Sequence, residues 1–280
     1  MVKALPTSRH AHAEPRVRRG YFESRYGQLH VHNAIPPGGG FEEGTSLLCI
    51  HAFPFSGHTF RAFLSVAGRD RSVYAPDLPG FGESDPPATR PSVQDYASAI
   101  GDFLDSMRFR QIDVLGHQTG SLIAAELAIT RPQQIRRVVL TSIPAFTDAE
   151  REAFRRAPWP VPPAEDGSHL MIEWKRSLEV HLPGTPLAIT AHRFTHKLRN
   201  GPEAWYGMNA AMQYPVRERI AAIPQPVLVV RPKDEWWDAT ARLRDSQPRA
   251  RYVDLPEGGA EVFESSPQSV VDASAEFLRG

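Results

Sequence analysis

The sequence predicts an α/β protein with a mostly parallel, twisted sheet, helices on both of its faces and an inserted helical cap. Three observations indicate this class. Short apolar runs typical of buried strands alternate with segments of helical periodicity. Hairpin signals stop after the first two strands, so the later strands are joined by crossovers and run parallel. Residues 146–216 contain helical segments and several aromatic residues but no strand run.

The first part of the predicted core follows a short tail. Residues 1–17 are basic but lack the apolar stretch of a secretory signal, so we expect a flexible tail. Alternating runs around Tyr26-Gly27-Gln28 predict a β-hairpin. Ser92 precedes a segment with apolar residues at helical spacing and is expected to be its N-cap. The other elements predicted here are strands at 47–50, 72–75 and 112–116 and a helix at 60–66.

A helical region divides the predicted core in two. Thr147-Asp148-Ala149-Glu150 has the pattern of a capping box and is expected to open a helix. An aromatic-rich helical insertion in an α/β chain predicts a cap at residues 146–216, with the core at 18–145 and 217–280. The core resumes with predicted strands at 226–230 and 251–255 and a last helix at 269–278.

Composition excludes several classes of partner. Lysine plus arginine and aspartate plus glutamate both number 32, so we expect neither nucleic acid nor an anionic membrane surface as a partner. No apolar run approaches the roughly 20 residues that span a bilayer. The single cysteine, Cys49, lies in an apolar run, which fits a core residue in a reducing compartment such as the cytoplasm. The expected partner is a small-molecule ligand, and the expected state is a monomer or homodimer.

The stretch from Ile112 to Ala128 has the layout of a nucleophile elbow. An apolar strand ends in Gly116, and Gly120 opens a helix of small residues at once. Such a turn holds its central residue in a strained conformation at the top of the sheet. The central residue in the G-x-S-x-G pattern is serine, but here it is Gln118, and an amide is not a nucleophile.

Four ordered motifs show a family resemblance. They are His51-Ala52-Phe53-Pro54, the loop Asp77 to Ser84, the elbow Gly116–Gly120, and the strand and turn Val227 to Asp234. Over roughly residues 18–280 the chain resembles the α/β-hydrolase superfamily, and within it the small, capped ester, lactone and carbon–carbon-bond hydrolases. The resemblance implies an oxyanion hole made by the backbone N–H groups of Phe53 and Thr119, and a catalytic acid at Asp234.

Two departures from the family pattern remove its usual chemistry. Gln118 stands at the nucleophile position, and Ala260 stands where the family's catalytic histidine is expected. No histidine follows residue 196, so a shifted alignment does not restore one. Acyl transfer needs a nucleophile that is activated by a base. We therefore expect no conventional serine-hydrolase activity.

Three candidate catalytic residues each have a second interpretation. Gln118 either binds a ligand carbonyl or enol through its amide, or only satisfies its own polar atoms. Asp234 acts as a general base if burial raises its pKa, or is a solvated or salt-bridged acid in a turn. His51 takes part in acid–base chemistry, or holds its turn through a backbone bond.

A ligand pocket is expected between the carboxyl ends of the strands and the cap. The predicted polar contact from the cap is His169, and the predicted apolar contacts are Trp174, Trp205, Tyr206 and Trp237. His192 and His196 lie four residues apart on a predicted helix, but two histidines without a third ligand are weak evidence for a metal. We therefore expect no metal and no cofactor.

Two classes of function remain. The first is an enzyme that acts on a small, largely apolar carbonyl, ester or lactone compound, aromatic ones included, without an acyl-enzyme, as a lyase, cyclase, isomerase or decarboxylase. Superfamily members with altered triads do such chemistry, so the resemblance permits it. The second is an inactive relative that binds a small molecule or a protein. A hydrolase that activates water directly is a third alternative.

Overall fold

The computed structural model describes residues 14–38, 44–156, 161–200 and 204–280. The predicted tail at 1–17 lies largely outside these residues. No helix in the described ranges is long and apolar enough to cross a membrane.

A single sheet organises the described chain, and the predicted fold class is confirmed. Its strand order is β1-β2-β4-β3-β5-β6-β7-β8. The first two strands form the predicted hairpin, β2 also pairs antiparallel with β4, and all other neighbours are parallel. The strands are β1 (Val17–Ser24), β2 (Gly27–Ala34), β3 (Gly44–Ile50), β4 (Arg71–Pro76), β5 (Ile112–His117), β6 (Ile135–Thr141), β7 (Val227–Pro232) and β8 (Arg251–Leu255).

Helices cover both faces of the sheet, as expected when apolar strands are buried on both sides. Both predicted N-terminal caps are confirmed: Ser92 and Asp95, like Thr147 and Glu150, bond reciprocally to each other's backbone N–H. The helices are α1 (Arg61–Ala67), α2 (Val93–Ser106), α3 (Gly120–Thr130), α4 (Asp148–Arg156), α5 (Ser168–Glu179), α6 (Leu187–Leu198), α7 (Trp205–Gln213), α8 (Val216–Ala221), α9 (Trp237–Ala241), α10 (Val262–Ser265) and α11 (Pro267–Arg279). A short 3-10 helix, Gly57–Phe60, precedes α1.

Five of these helices, α4 to α8, lie between β6 and β7 in the chain. Tyr214 and Arg219 tie this helical insertion to the core, because both bond to the buried carboxylate of Glu126 on α3. The described part of the insertion has no strand, as expected from its sequence. The division into core and cap stays a prediction.

The core lies on both sides of the sheet in two apolar clusters. Cys49 is fully buried in one of them, and burial raises the pKa of its thiol well above the usual value. A thiol in this environment is unreactive. The strand that contains Cys49 leads directly to the carboxyl edge of the sheet, where the candidate site begins.

Candidate functional site

The turn between β5 and α3 has the geometry of a nucleophile elbow. Gln118 has a φ of 50°, a left-handed conformation that is rare for residues other than glycine. Its backbone N–H donates to the carbonyl of Thr141, and its carbonyl accepts from the N–H of Ser121. Backbones pass very close here, because a Cβ added to Gly120 would lie 2.2 Å from the carbonyl oxygen of Ile50. The fold therefore fixes the position of the Gln118 side chain.

The Gln118 side chain links two acidic residues that follow β7. Its Nε2 donates to Oδ2 of Asp234 at 3.4 Å and to Oε1 of Glu235 at 3.2 Å. Asp234 also accepts the backbone N–H of Trp236 at 3.0 Å, which holds the turn. The structure thus brings together two predicted catalytic residues, Gln118 and Asp234, and adds Glu235.

Both carboxyl groups of this pair have raised pKa values. Burial is the main cause at Asp234, which is half-buried. At Glu235 the surrounding protein atoms and then the nearby charge of Asp234 raise the pKa to about 7. Glu235 keeps contact with solvent at the cavity that it lines. A carboxyl group with a pKa near 7 and access to a cavity suits general acid–base chemistry.

A cavity of about 270 Å³ opens over Gln118 and Glu235, between the carboxyl edge of the sheet and the helical insertion. This is the place expected for a ligand in an open α/β sheet. Its lining is mainly apolar, with charged side chains from α5 and α6. The lining residues are Phe53, Pro54, Phe55, Gln118, Phe154, Arg176, Ser177, Val180, Thr190, Arg193, Phe194, Lys197, Met208, Glu235, Trp236 and Glu261.

One of the two donors of the expected oxyanion hole is already occupied by the Thr119 side chain. The backbone N–H of Phe53 donates to Oγ1 of Thr119 at 2.7 Å in a buried position. The N–H of Thr119 has no hydrogen bond within the described residues. The oxyanion hole at Phe53 and Thr119 stays a prediction, and it requires a ligand oxygen to displace the Thr119 hydroxyl before that oxygen reaches the N–H of Phe53.

We expect Thr119→Val to lower the stability of the free protein by about 1–3 kcal/mol, because a buried N–H loses its acceptor. Valine has nearly the same shape as threonine, so packing is kept. The measurement is urea unfolding of both proteins. Thr119→Ser is the control, since it keeps the hydroxyl and loses only a methyl group. Equal losses in the valine and serine variants would contradict a role for the hydroxyl.

His51 lies fully buried beneath this turn, and both of its ring nitrogens are bonded to backbone. Nδ1 lies 3.0 Å from the carbonyl oxygen of Ala52, and Nε2 accepts the N–H of Leu78 at 2.9 Å. Burial lowers the pKa of His51 to about 4, so the ring is neutral near pH 7. No ring nitrogen is left for catalysis. The geometry favours the second interpretation, in which His51 holds the turn.

Ala260, the position at which the sequence predicts the loss of a catalytic histidine, is buried and faces a cation. Ala260 is 2% exposed, and its carbonyl accepts from Nη1 of Arg193 at 2.9 Å. The same nitrogen bonds Oε1 of Glu264 at 3.0 Å, and the guanidinium lies 4.4 Å from the ring centre of Phe55. A guanidinium from α6 therefore stands beside Ala260, where the family pattern has an imidazole.

None of the five predicted ligand contacts lines this cavity, and their role stays a prediction. His169 accepts the N–H of Ala164 at the start of α5, and Trp174 packs edge-on against Phe194. The remaining three aromatics bind cations: Trp205 and Tyr206 stack with Arg90, and Trp237 with Arg231.

Trp205 also lines a different cavity, of about 530 Å³, inside the helical insertion. The two cavities share only the side chains of Phe154 and Met208. The larger one lacks the acidic pair and the elbow residue. Of these two cavities in the described residues, only the smaller one is lined by Gln118 and Glu235.

Sequence reasoning missed two residues of the site and one residue of a separate histidine cluster. Glu235 was overlooked although two consecutive acids at the end of a strand were visible. Arg193 shares a helix face with Thr190 and Lys197, a pattern that a search at helical spacing could have found. His58 was also missed: it stacks on His196 and supplies the third imidazole that the pair at 192 and 196 lacked.

The chain belongs to the alpha/beta hydrolase family, whose model matches residues 47–273. Epoxide hydrolase 4 of Mus musculus is 32% identical over 100 residues, which cover 35% of this chain and 28% of that protein. The matched segments span about a third of the length of the curated relatives. The sequence similarity to these relatives is therefore limited to a segment of each protein.

Solved structures agree on the fold. The 2-hydroxy-6-oxo-6-phenylhexa-2,4-dienoate hydrolase of Rhodococcus sp. strain RHA1 has a TM-score of 0.77 at 19% identity, covering 95% of this chain and 100% of that one. The enol-lactonase of Burkholderia xenovorans LB400 has a TM-score of 0.74 at 15% identity, covering 91% and 100%. Identities this low show a shared fold and nothing about a shared substrate.

Proposed function

We propose that the protein is an acid–base enzyme that acts on a small carbonyl compound without an acyl-enzyme. One observation carries this proposal. Gln118, at the nucleophile position, is hydrogen-bonded to a pair of carboxyl groups, one of which has a pKa of about 7 and lines a cavity. Carboxyl groups with strongly shifted pKa values in clefts are enriched at catalytic sites, which favours an enzyme over an inactive binding protein.

In the proposed reaction, the Glu235 carboxylate removes a proton from a carbon next to the ligand carbonyl. The electron pair moves onto the carbonyl oxygen, which becomes an enolate. Arg193 supplies positive charge in the same cavity, and its field acts on Glu235. The protonated Glu235 then returns the proton to another carbon or to a leaving group, as in an isomerase or lyase.

Asp234 and Gln118 have positioning roles in this scheme. Asp234 holds the turn through the N–H of Trp236, and its charge raises the pKa of Glu235. The Gln118 amide bridges both carboxyl groups. We place the helical insertion over this pair as the cap that covers the bound ligand.

Cavity size and the names of similar structures support a small, partly apolar substrate. A space of about 270 Å³ is slightly below the usual range for drug-sized ligands. One similar structure is an enol-lactonase and another is a phenylhexadienoate hydrolase by name. Within the described residues, Oε2 of Glu261 is buried without a hydrogen-bond partner at the cavity wall. A hydroxyl group on the substrate would satisfy it.

Isotope incorporation tests the proposal without knowledge of the product. A panel of small enolisable ketones, β-keto acids and lactones is incubated with the protein in D₂O and, separately, in H₂¹⁸O. Deuterium at the carbon next to the carbonyl, detected by mass spectrometry, is the expected result. ¹⁸O incorporation without deuterium would indicate direct activation of water instead. If calorimetry shows that a compound binds but neither solvent labels it, the enzyme proposal is wrong and the protein is an inactive binding protein.

We expect Gln118→Ser to remain unreactive toward fluorophosphonates and to cleave p-nitrophenyl acetate no faster than the wild type. A serine needs a base, and the nearby His51 has both ring nitrogens bonded to backbone. The serine hydroxyl would end two bonds short of the Gln118 nitrogen that reaches Glu235, so we expect that carboxyl group to lie too far away to take its proton. Peptide mass spectrometry after fluorophosphonate treatment is the measurement. Stoichiometric labelling of the introduced serine in the Gln118→Ser variant would show that a base lies within reach.

A further inference from the structure

Three histidines from two distant parts of the chain meet at the edge of the helical insertion. His58 lies in the 3-10 helix that follows the His51–Pro54 turn, and His192 and His196 lie on α6. The ring centres are 4.0 Å apart between His58 and His196 and 4.7 Å apart for the other two pairs. One ligand nitrogen from each residue lies within 4.8 Å of the other two.

The ring nitrogens of these three histidines have no hydrogen-bond partner in the ranges that the structure describes. The neighbouring cluster of His30, His32 and Asp77 differs in its hydrogen bonds. There, Nδ1 of His30 bonds Oδ2 of Asp77 at 2.9 Å, and Asp77 also accepts the N–H groups of Gly57 and Glu83. Nε2 of His32 lies 3.8 Å from Oδ1 of the same carboxylate. Hydrogen bonds within the protein therefore occupy His30 and Asp77, whereas none occupies a ring nitrogen of the cluster at α6 in the described residues.

We propose that His58, His192 and His196 form a binding site for Zn²⁺ or a similar divalent transition-metal ion. Imidazole is a preferred ligand of these ions, and three imidazoles with an open fourth position are a common zinc arrangement. Nitrogens bound tetrahedrally to zinc lie about 3.3 Å apart. Side-chain rotations that shorten each nitrogen–nitrogen distance by roughly 1.5 Å or less would therefore bring the three histidines to zinc-binding geometry. His192 is exposed and the other two are half-buried, so an ion can enter from solvent.

A metal ion at this position would crosslink the helical insertion to the core. Asn200, just after α6, already contacts the turn, because its Oδ1 accepts the N–H of Gly82 and its Nδ2 donates to the carbonyl of Pro54. The opposite face of α6 supplies Arg193, Phe194 and Lys197 to the cavity over Gln118. Metal binding would therefore stiffen one wall of that cavity without entering it.

Calorimetric titration of the metal-free full chain with Zn²⁺ tests the proposal. We expect one ion per chain, no binding of Mg²⁺, and a melting temperature raised by roughly 5 °C at zinc concentrations near 100 times Kd. His192→Ala and His196→Ala should weaken zinc binding by about 100-fold or more. His192 is exposed, so its variant should melt like the wild type when zinc is absent.

Control variants separate this site from other histidines. His169→Ala and the double variant His10→Ala/His12→Ala should bind zinc as the wild type does. Hydrogen exchange followed by mass spectrometry should show zinc-dependent protection at residues 57–60 and 187–198, and the protection should vanish in His192→Ala. Unchanged binding in His192→Ala, protection confined to other segments, or no binding below millimolar zinc would overturn the proposal.

Discussion

Replacing Glu235 with glutamine is expected to slow deuterium incorporation into an enolisable substrate by roughly 100- to 10,000-fold, the usual contribution of a general base. Glutamine has the same shape and its Oε1 still accepts from the Gln118 amide, but it takes up no proton. The measurement compares initial rates in D₂O for both proteins. Glu257→Gln is the matched control, because Glu257 is exposed like Glu235 but lies outside the cavity.

The rate of this reaction is expected to increase with pH. Glu235 must be ionised to act as a base, so kcat/KM should rise with pH and level off above its pKa of about 7. A substrate that binds identically in both forms shows this rise in kcat as well. A flat profile between about pH 5.5 and 8.5, or equal rates in the Glu235→Gln and Glu257→Gln variants, would contradict the role of Glu235.

As pH rises, the free energy of unfolding should fall whereas the activity should increase. A carboxyl group whose pKa is raised on folding binds more protons in the folded state than in the unfolded state. Its contribution to stability is therefore fully present below the unfolded pKa, near 4.5, and is lost as pH rises through about 7. Glu235→Gln removes this loss, so at about pH 8 the variant should unfold at the same or higher denaturant concentration than the wild type.

Gly120→Ala is expected to destabilise the protein by about 3 to 5 kcal/mol, or to prevent soluble expression. The added Cβ would lie 2.2 Å from the carbonyl oxygen of Ile50 and 2.6 Å from that of His51. Both contacts are with backbone at the carboxyl edge of the sheet, so no side chain can move aside. Unfolding in urea, or the soluble yield when folding fails, is the measurement.

Gly38→Ala is the control for this substitution. A Cβ at Gly38 meets no atom within 4 Å, and we expect a change within about 0.5 kcal/mol. If the two alanine variants have the same stability, the close approach of α3 to β3 does not constrain the elbow. The position of Gln118 would then owe less to its neighbouring glycines than the structure indicates.

The fold could be predicted because its signals are local. The capping boxes at Ser92 and Thr147 and the apolar strand runs depend on residues a few positions apart, and each element formed where its pattern predicted. The elbow also follows from neighbouring residues, since Gly116 and Gly120 permit the close approach of strand and helix. Local patterns of this kind can be interpreted without any knowledge of tertiary contacts.

The site was harder to predict because its properties come from distant neighbours. The pKa of Glu235 depends on the protein packed around it, which no spacing reveals. Arg193 reaches Ala260 across 67 residues, and His58 meets His192 from another part of the chain. Two of the predicted ligand contacts, Trp205 in the insertion and Trp237 on α9, pack against arginines that the sequence did not pair with them.

Arg193 opposes the evolution of serine chemistry at this site. A lineage that acquires Gln118→Ser gains a hydroxyl without a histidine beside it, and one that acquires Ala260→His places an imidazole in a buried position beside a guanidinium. Losing Arg193 first would strip Glu264 of its cation in a largely buried setting. Each single substitution therefore leaves either a serine without a histidine or a buried carboxyl group without its cation. A serine–histidine pair at this site would need several substitutions together, and none of them supplies the activity alone.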